Sequence, residues 1–137
     1  MEMVVTFPGG ARVDAQLGAH VIRTDQPRHA GGDDSAPAPF SLFLASLATC
    51  AGIYVLGFCR QRGLPTEGIQ LIQKVEADPR TGMVGAIAIE IQVPPEFPER
   101  YRDALTRAAS QCAVKKHLEA PPRMEVRTVV AEPLPTN

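Results

Sequence analysis

The chain has 137 residues, of which 45% are hydrophobic and 21% are charged, and its formal net charge is −1 at pH 7. This length predicts one domain, this composition excludes a disordered chain, and the balanced charge gives no attraction to nucleic acid or to a membrane surface. Three cysteines are too few for a secreted disulfide framework, and no spacing typical of a zinc site occurs, so no bound cofactor or metal is expected. The N-terminus lacks a signal-peptide pattern, and we expect a reducing, cytoplasmic location.

The first part of the chain has the pattern of short strands joined by turns. Residues 3–24 contain three short runs rich in β-branched or alternating apolar and polar side chains, with glycines between them. This pattern predicts a small antiparallel meander. Residues 25–38 are rich in Pro, Gly and Asp, and we expect them to form a loop that leads into the next element.

A segment of 21 residues, from Pro39 to Cys59, carries no charge. Its length suits a membrane span, but small and hydroxyl-bearing residues dilute it, and we interpret it as a buried central helix over residues 39–62. The segment is apolar on every face, so other elements must cover it all round. One further helix and a few strands give too little cover, and a homodimer that packs two such helices together is therefore expected.

The second half of the chain predicts two strands, a helix and a final strand. Alternating side chains over residues 68–93 predict an antiparallel pair. Helical spacing over 95–118 predicts a second helix with Cys112 on its apolar face. Residues 123–130 alternate again and predict a last strand, after which the tail is expected to fray. The whole chain, 1–137, is therefore predicted to be one α+β domain in the order βββ-α-ββ-α-β, with antiparallel sheets.

The cysteines allow two interpretations. Cys50 and Cys59 are about half a helical turn apart in direction and cannot face each other within the helix. Cys50 and Cys112 are each flanked by small residues, which leaves room for close approach. They are either a thiol pair, in which one sulfur attacks an oxidised substrate and the other resolves it as a disulfide, or small buried apolar residues.

Two stretches carry a resemblance to a known family. These are SLFLASLATCAGIYVLGFCRQRGL, with its Ala-Thr-Cys, and ALTRAASQCAVKKHL. Together with the strand pair between them, they resemble the OsmC/Ohr family of osmotically inducible and organic-hydroperoxide-resistance proteins, and the OsmC-like branch in particular. The resemblance extends over about residues 4–130. It implies an intertwined homodimer in which two long central helices are backed by antiparallel sheets.

The resemblance also implies a chemistry for two of the cysteines. Cys50 matches the residue that attacks the O–O bond of an organic hydroperoxide and becomes a sulfenic acid. Cys112 matches the residue that then closes a disulfide, which an external dithiol reductant of the lipoyl type reopens. Cys59 matches neither position and is interpreted as a core residue. The resemblance therefore implies a thiol-dependent peroxidase that serves defence against oxidative stress.

The activating group is less clear in the sequence. In the family peroxidases a Glu shortly before the first cysteine holds an Arg that lowers the thiol pKa. Phe40 and Ser41 stand at this position here, and Arg12 is the candidate for the Arg. Tyr54, one turn after Cys50, is expected to line the pocket, and His29 to lie at its mouth.

Two other functions remain open from the sequence. Without a nearby positive charge the thiol would be a slow nucleophile. The protein would then be a non-catalytic OsmC-like protein that binds a small hydrophobic ligand at the dimer interface, or a thiol redox sensor.

Overall fold

The computed structural model of the protein describes residues 1–132. Residues 133–137, the end of the tail that the sequence predicts to fray, lie outside the described residues. The helices and strands are, in chain order, β1 (Val4–Gly9), β2 (Arg12–Leu17), β3 (His20–Thr24), α1 (Pro39–Gln61), β4 (Gln70–Ala77), β5 (Val84–Gln92), α2 (Arg102–Ala109) and α3 (Ala113–Glu119). All strand pairs are antiparallel, and the α+β fold class is confirmed.

The first three strands form a sheet in the order β1-β2-β3. A two-residue turn joins β2 to β3, and Gly18 in this turn has a φ of 57°, which glycine adopts without strain. No residue of this meander belongs to the buried apolar cluster of the chain. Val5 and Phe7 are 52% and 82% exposed, so within residues 1–132 the meander keeps apolar side chains uncovered.

The long helix α1 begins at Pro39, whose fixed φ and missing N–H suit the first position of a helix. One face of α1 is buried. It carries apolar side chains at a spacing of three to four residues, namely Leu47, Ala51, Val55 and Phe58. The opposite face, which includes Ile53, is exposed. By length and composition alone α1 could also span a membrane, a test that core helices of soluble proteins pass as well.

The hairpin of β4 and β5 covers the buried face of α1. Leu71 pairs with Ile91 and Gln73 with Ile89, and the isoleucines pack against the apolar cluster together with Leu105 of α2, which is 2% exposed. The other face of the hairpin is polar, with residues such as Lys74 and Glu90. The core therefore lies between α1, the hairpin and α2.

The prediction of one helix over residues 95–118 is wrong. Prolines interrupt its start, α2 ends at Ala109, and α3 begins only at Ala113. The backbone N–H and the hydroxyl of Ser110 both donate to the carbonyl of Thr106, at 3.1 and 2.9 Å, which closes α2. Cys112 then has φ −48° and ψ 125°, an extended conformation that separates the two helices.

The prediction of a last strand over residues 123–130 is also wrong for the single chain. Residues 121–132 belong to no helix or strand, and all are exposed. Val126 and Val130 are 95% and 97% exposed. Because a strand exists only where a neighbouring strand shares its ladder of hydrogen bonds, the alternating pattern alone does not make one here.

The loop before α1 is organised around the carboxylate of Asp25, which is 1% exposed. Asp25 accepts hydrogen bonds from the backbone N–H groups of Gln26, Asp33 and Ser35 at 2.8, 3.3 and 3.0 Å. It also accepts one from the Ser35 hydroxyl at 2.6 Å. These bonds, that of the Ser35 hydroxyl foremost, lower the pKa of Asp25 to about 2. The loop is thereby folded back on itself just before α1 begins.

This loop leaves no room for a side chain at Gly32. A Cβ there would overlap the carbonyl oxygen of Gln26 and lie 2.8 Å from the carboxylate of Asp25. We expect Gly32→Ala to lower the free energy of unfolding by about 1–3 kcal/mol, the usual cost of overpacking. At Gly85 an added Cβ would make only ordinary contacts of 3.7 Å, so Gly85→Ala is the control. Equal urea denaturation midpoints for the two variants would contradict this description of the loop.

Candidate active site

Cys50 lies in the middle of α1, beside the buried face that Leu47 and Ala51 form. Helical geometry directs its side chain to the flank of that face, and the residue is half-buried. Cys50 is therefore neither part of the fully buried face nor fully exposed.

Cys112 lies at the junction between α2 and α3 and is 3% exposed. Its sulfur accepts a hydrogen bond from the backbone N–H of Lys115 at 3.5 Å and so caps the N-terminus of α3, a role that Ser, Asp or Asn usually has. Its S–H points to the carbonyl oxygen of Leu47, and the distance from the sulfur to that oxygen is 3.9 Å. The junction is thus held against α1, close to Cys50.

The Cys112 thiol lowers the pKa of Cys50 and the Cys50 thiol raises that of Cys112, so the two side chains are neighbours, and both thiols are free. The N–H of Val114 makes the largest contribution to a lowered Cys50 pKa, followed by the Cys112 thiol and, more weakly, the N–H of Ala113, while partial burial acts in the opposite direction. These donors favour the thiolate form of Cys50.

The pKa of Cys112 is shifted the other way. Burial raises it, and the neighbouring Cys50 sulfur acts in the same direction, while the N–H of Lys115 opposes them. The thiolate form is therefore favoured at Cys50 and disfavoured at Cys112. A thiolate beside a protonated thiol is the arrangement that nucleophilic attack followed by resolution requires.

Within residues 1–132 the predicted activating cation is not found beside the thiols. Arg12 lies on β2, and its guanidinium binds Asp14 at 3.0 Å. Among the groups of residues 1–132 that shift the Cys50 pKa, none is an arginine, lysine or histidine. The sequence analysis missed Ala113 and Val114, whose backbone N–H groups lower the pKa of Cys50 where a cation was expected to do so. The only local signal in the sequence that α2 ends before Cys112 is Ser110, and this signal is weak.

The structure places the other predicted pocket residues as follows. Phe40 and Ser41 lie in the exposed first turn of α1, where the Phe40 ring packs against Phe43 with ring centroids 5.4 Å apart. His29 is exposed in a 3-10 turn. Tyr54 is 37% exposed, one turn after Cys50. Within residues 1–132, Phe40, Ser41 and His29 make no hydrogen bond to the thiols. Their predicted roles in the pocket stay predictions.

Two cavities adjoin the junction. The smaller, about 300 Å³, has Cys112 in its wall and is otherwise mostly apolar, with Ile87, Ile89 and Leu118, while Lys115 adds a charge. The larger, about 650 Å³, is an open groove between α1 and α2 that Tyr54 lines. An organic molecule thus has apolar surface available beside Cys112 and, separately, between α1 and α2.

Cys59 is separate from this site. It is fully buried at 0% exposure, and burial raises its pKa, so the thiolate form is disfavoured. No group of three or more His, Cys, Asp or Glu residues in the described part of the chain could hold a metal ion.

Comparison with known proteins identifies the family. The sequence profile described as OsmC-like protein matches residues 32–127, which is more than half of the chain and includes both Cys50 and Cys112. The chain belongs to the OsmC-like protein family. A search of curated protein sequences gives no significant match.

Solved structures of the OsmC/Ohr family share the fold. A protein from Psychrobacter arcticus is described as an osmotic stress induced and detoxification response protein. It is 23% identical with a TM-score of 0.70, over 83% of this chain and 85% of that one. An organic hydroperoxide resistance protein OsmC from Legionella pneumophila is 21% identical with a TM-score of 0.58, over 86% and 89%. The organic hydroperoxide resistance protein OhrB of Bacillus subtilis is 19% identical with a TM-score of 0.52, over 88% and 93%.

The amide contacts predict how the Cys50 thiol titrates. Ala113→Pro removes one N–H from the Cys50 sulfur at a helix position where proline fits, and the extended Cys112 before it suits a following proline. Because fewer donors then stabilise the thiolate, the pKa of Cys50 should rise. The pH dependence of Cys50 alkylation by iodoacetamide, followed by mass spectrometry, measures this.

Ala113→Gly keeps the N–H and is the matched control. In the wild type and in this control, alkylation should reach half its maximal rate at a pH below that of an ordinary cysteine, and Ala113→Pro should move this point upward. Identical profiles for the three proteins would show that the Ala113 amide does not stabilise the Cys50 thiolate.

Proposed function

We propose that this protein reduces organic hydroperoxides, with Cys50 as the nucleophile and Cys112 as the resolving thiol. The observation that supports this most is that Cys112 is buried against α1, beside the Leu47 carbonyl one turn before Cys50. The pKa of Cys50 is lowered there and that of Cys112 raised. Membership of the OsmC-like family and the names of the organic hydroperoxide resistance proteins among its structural neighbours support the same chemistry.

In the first step the Cys50 thiolate attacks the terminal oxygen of the hydroperoxide. An S–O bond forms, the O–O bond breaks, and Cys50 becomes a sulfenic acid. The alkoxide that leaves takes a proton and departs as an alcohol. Cys112 is the nearest proton donor to this sulfur, and donation would leave Cys112 as the thiolate that the second step needs.

In the second step Cys112 attacks the sulfenic sulfur of Cys50. A disulfide forms, and the hydroxide that leaves takes a proton from solvent and becomes water. Two electrons have then passed from the two thiols to the peroxide. An external dithiol, which the family resemblance suggests is of the lipoyl type, returns two electrons and two protons and restores both thiols.

A second candidate function rests on the 300 Å³ cavity beside Cys112. Its apolar lining would also suit a small hydrophobic ligand that is bound and not reduced. In that case Cys50→Ser would leave ligand binding unchanged, and no hydroperoxide would be consumed by the wild type.

The proposal includes a homodimer. Ile53 on the outer face of α1 is 58% exposed, and Phe7 of the meander is 82% exposed. The alternating residues 123–130 have no strand to pair with in residues 1–132. A second copy that covers α1 and pairs with the free strand edges would account for all three features.

A peroxidase assay tests the proposed chemistry. With cumene hydroperoxide and dihydrolipoamide, Cys50→Ser should reduce turnover at least about a thousandfold, as loss of a nucleophile does. Cys112→Ser should still consume one equivalent of peroxide but not turn over, because no disulfide can form.

Cys59→Ser is the control for this assay and should keep wild-type activity, since Cys59 is buried away from the pair. Wild-type turnover that survives Cys50→Ser would contradict the role of Cys50. A wild-type protein that consumes no peroxide would favour the ligand-binding function.

The homodimer has its own test. Sedimentation velocity should give a mass of twice 14.7 kDa, and Ile53→Glu should shift the protein towards monomer because it places a charge on the apolar outer face of α1. Gln70→Glu, on the polar outer face of the hairpin, should leave the dimer intact. A monomeric wild type at micromolar concentration would disprove the assembly.

A further inference from the structure

The short helix α3 has the Cys112 sulfur as its N-terminal cap. It has seven residues and no buried side chain, and a helix of this length is not stable on its own in water. The N–H of Lys115 donates to the Cys112 sulfur at 3.5 Å, and the N–H groups of Val114 and Ala113 lower the pKa of the Cys50 thiol. The N-terminus of α3 is therefore held at the thiol pair.

Disulfide formation would disturb this cap. The Cys112 sulfur has to approach the Cys50 sulfur to about 2 Å, so it moves relative to the Lys115 N–H. A neutral disulfide sulfur accepts hydrogen bonds weakly, and the N-terminus of α3 would be left without a cap.

We propose that oxidation of the Cys50–Cys112 pair releases the N-terminal turn of α3, and that this release exposes the Cys112 sulfur to the dithiol reductant. The inference rests on the disulfide of the proposed function. Lys115 and Leu118 of α3 form part of the wall of the 300 Å³ cavity that also contains Cys112. When α3 loosens, this wall opens, and the cavity becomes the route by which the reductant reaches the disulfide.

The burial of Cys112 explains why this access matters. In thiol–disulfide exchange the attacking thiolate must reach one of the two sulfurs, so the rate depends on access to that sulfur. Cys112 is 3% exposed in the reduced protein. An attacking thiolate needs a clear approach to that sulfur, and the reduced conformation does not give one.

The exchange itself balances as follows. One thiolate of the dithiol bonds to the Cys112 sulfur, the disulfide breaks, and Cys50 leaves as a thiolate. The second thiol of the reductant then displaces Cys112, closes a cyclic disulfide and passes its proton to the Cys112 sulfur. Cys112 again accepts the N–H of Lys115, and α3 is capped once more.

Hydrogen–deuterium exchange of the full chain tests this inference. The reduced protein is compared with protein oxidised by diamide, which forms the disulfide without any peroxidase step. Exchange in peptides that cover residues 113–120 should become about tenfold faster on oxidation, the effect of losing a helix cap. Exchange in α2 and in the β4–β5 hairpin should stay unchanged.

Cys112→Ser is the matched control, because serine can cap α3 but cannot form the disulfide. Its α3 exchange should be slow and the same with and without diamide. Faster exchange in the control on diamide treatment would overturn the inference, since the effect would not then come from the disulfide.

The remaining outcomes separate the inference from the proposed function. A Cys50–Cys112 disulfide, verified by mass spectrometry, with unchanged exchange over residues 113–120 would overturn the inference. Failure of diamide to join these two residues would overturn it as well, because the contact between the sulfurs would be wrong. If the disulfide loosens α3 but the wild type reduces no hydroperoxide, the inference stands and the proposed function fails.

Discussion

The site depends on one break in the chain, at Cys112, where the backbone is extended and α3 begins. This break buries Cys112, holds its sulfur 3.9 Å from the carbonyl oxygen of Leu47 in α1 and makes it the cap of α3. It also brings the N–H groups that lower the pKa of Cys50 up to α1. The lowered pKa of Cys50, the raised pKa of Cys112 and the cap of α3 are therefore linked.

The parts of the fold that follow local patterns could be predicted from the sequence. Alternation identified the meander and the β4–β5 hairpin, and the uncharged run identified α1 within one residue of its observed end. The parts that failed depend on other elements. Residues 123–130 carry the pattern of a strand but have no partner in the described chain, and the break at Cys112 depends on packing against α1 that helical spacing does not encode.

The residues of the site could be proposed from the sequence, but the groups that act on their pKa values could not. The small neighbours of Cys50 and Cys112 and the family resemblance pointed to a pair, and in the structure each thiol shifts the pKa of the other. The sequence reasoning looked for a side-chain cation such as Arg12, which instead binds Asp14 on its own strand. Every residue except proline has a backbone N–H, so the residue types do not show which N–H groups act on a thiol. The start of α3, which depends on packing against α1, could therefore not be predicted from the sequence.

The most direct test of this account is the product formed when the reduced protein meets one equivalent of cumene hydroperoxide. Peptide mapping by mass spectrometry under acid quench should find one disulfide, between Cys50 and Cys112, with Cys59 still a free thiol and one equivalent of cumyl alcohol released. A protein in which Cys50 remains fully alkylatable after this treatment, or in which Cys59 carries the disulfide, would contradict the central claim that the α3 contact makes Cys50 the reactive thiol and Cys112 its partner.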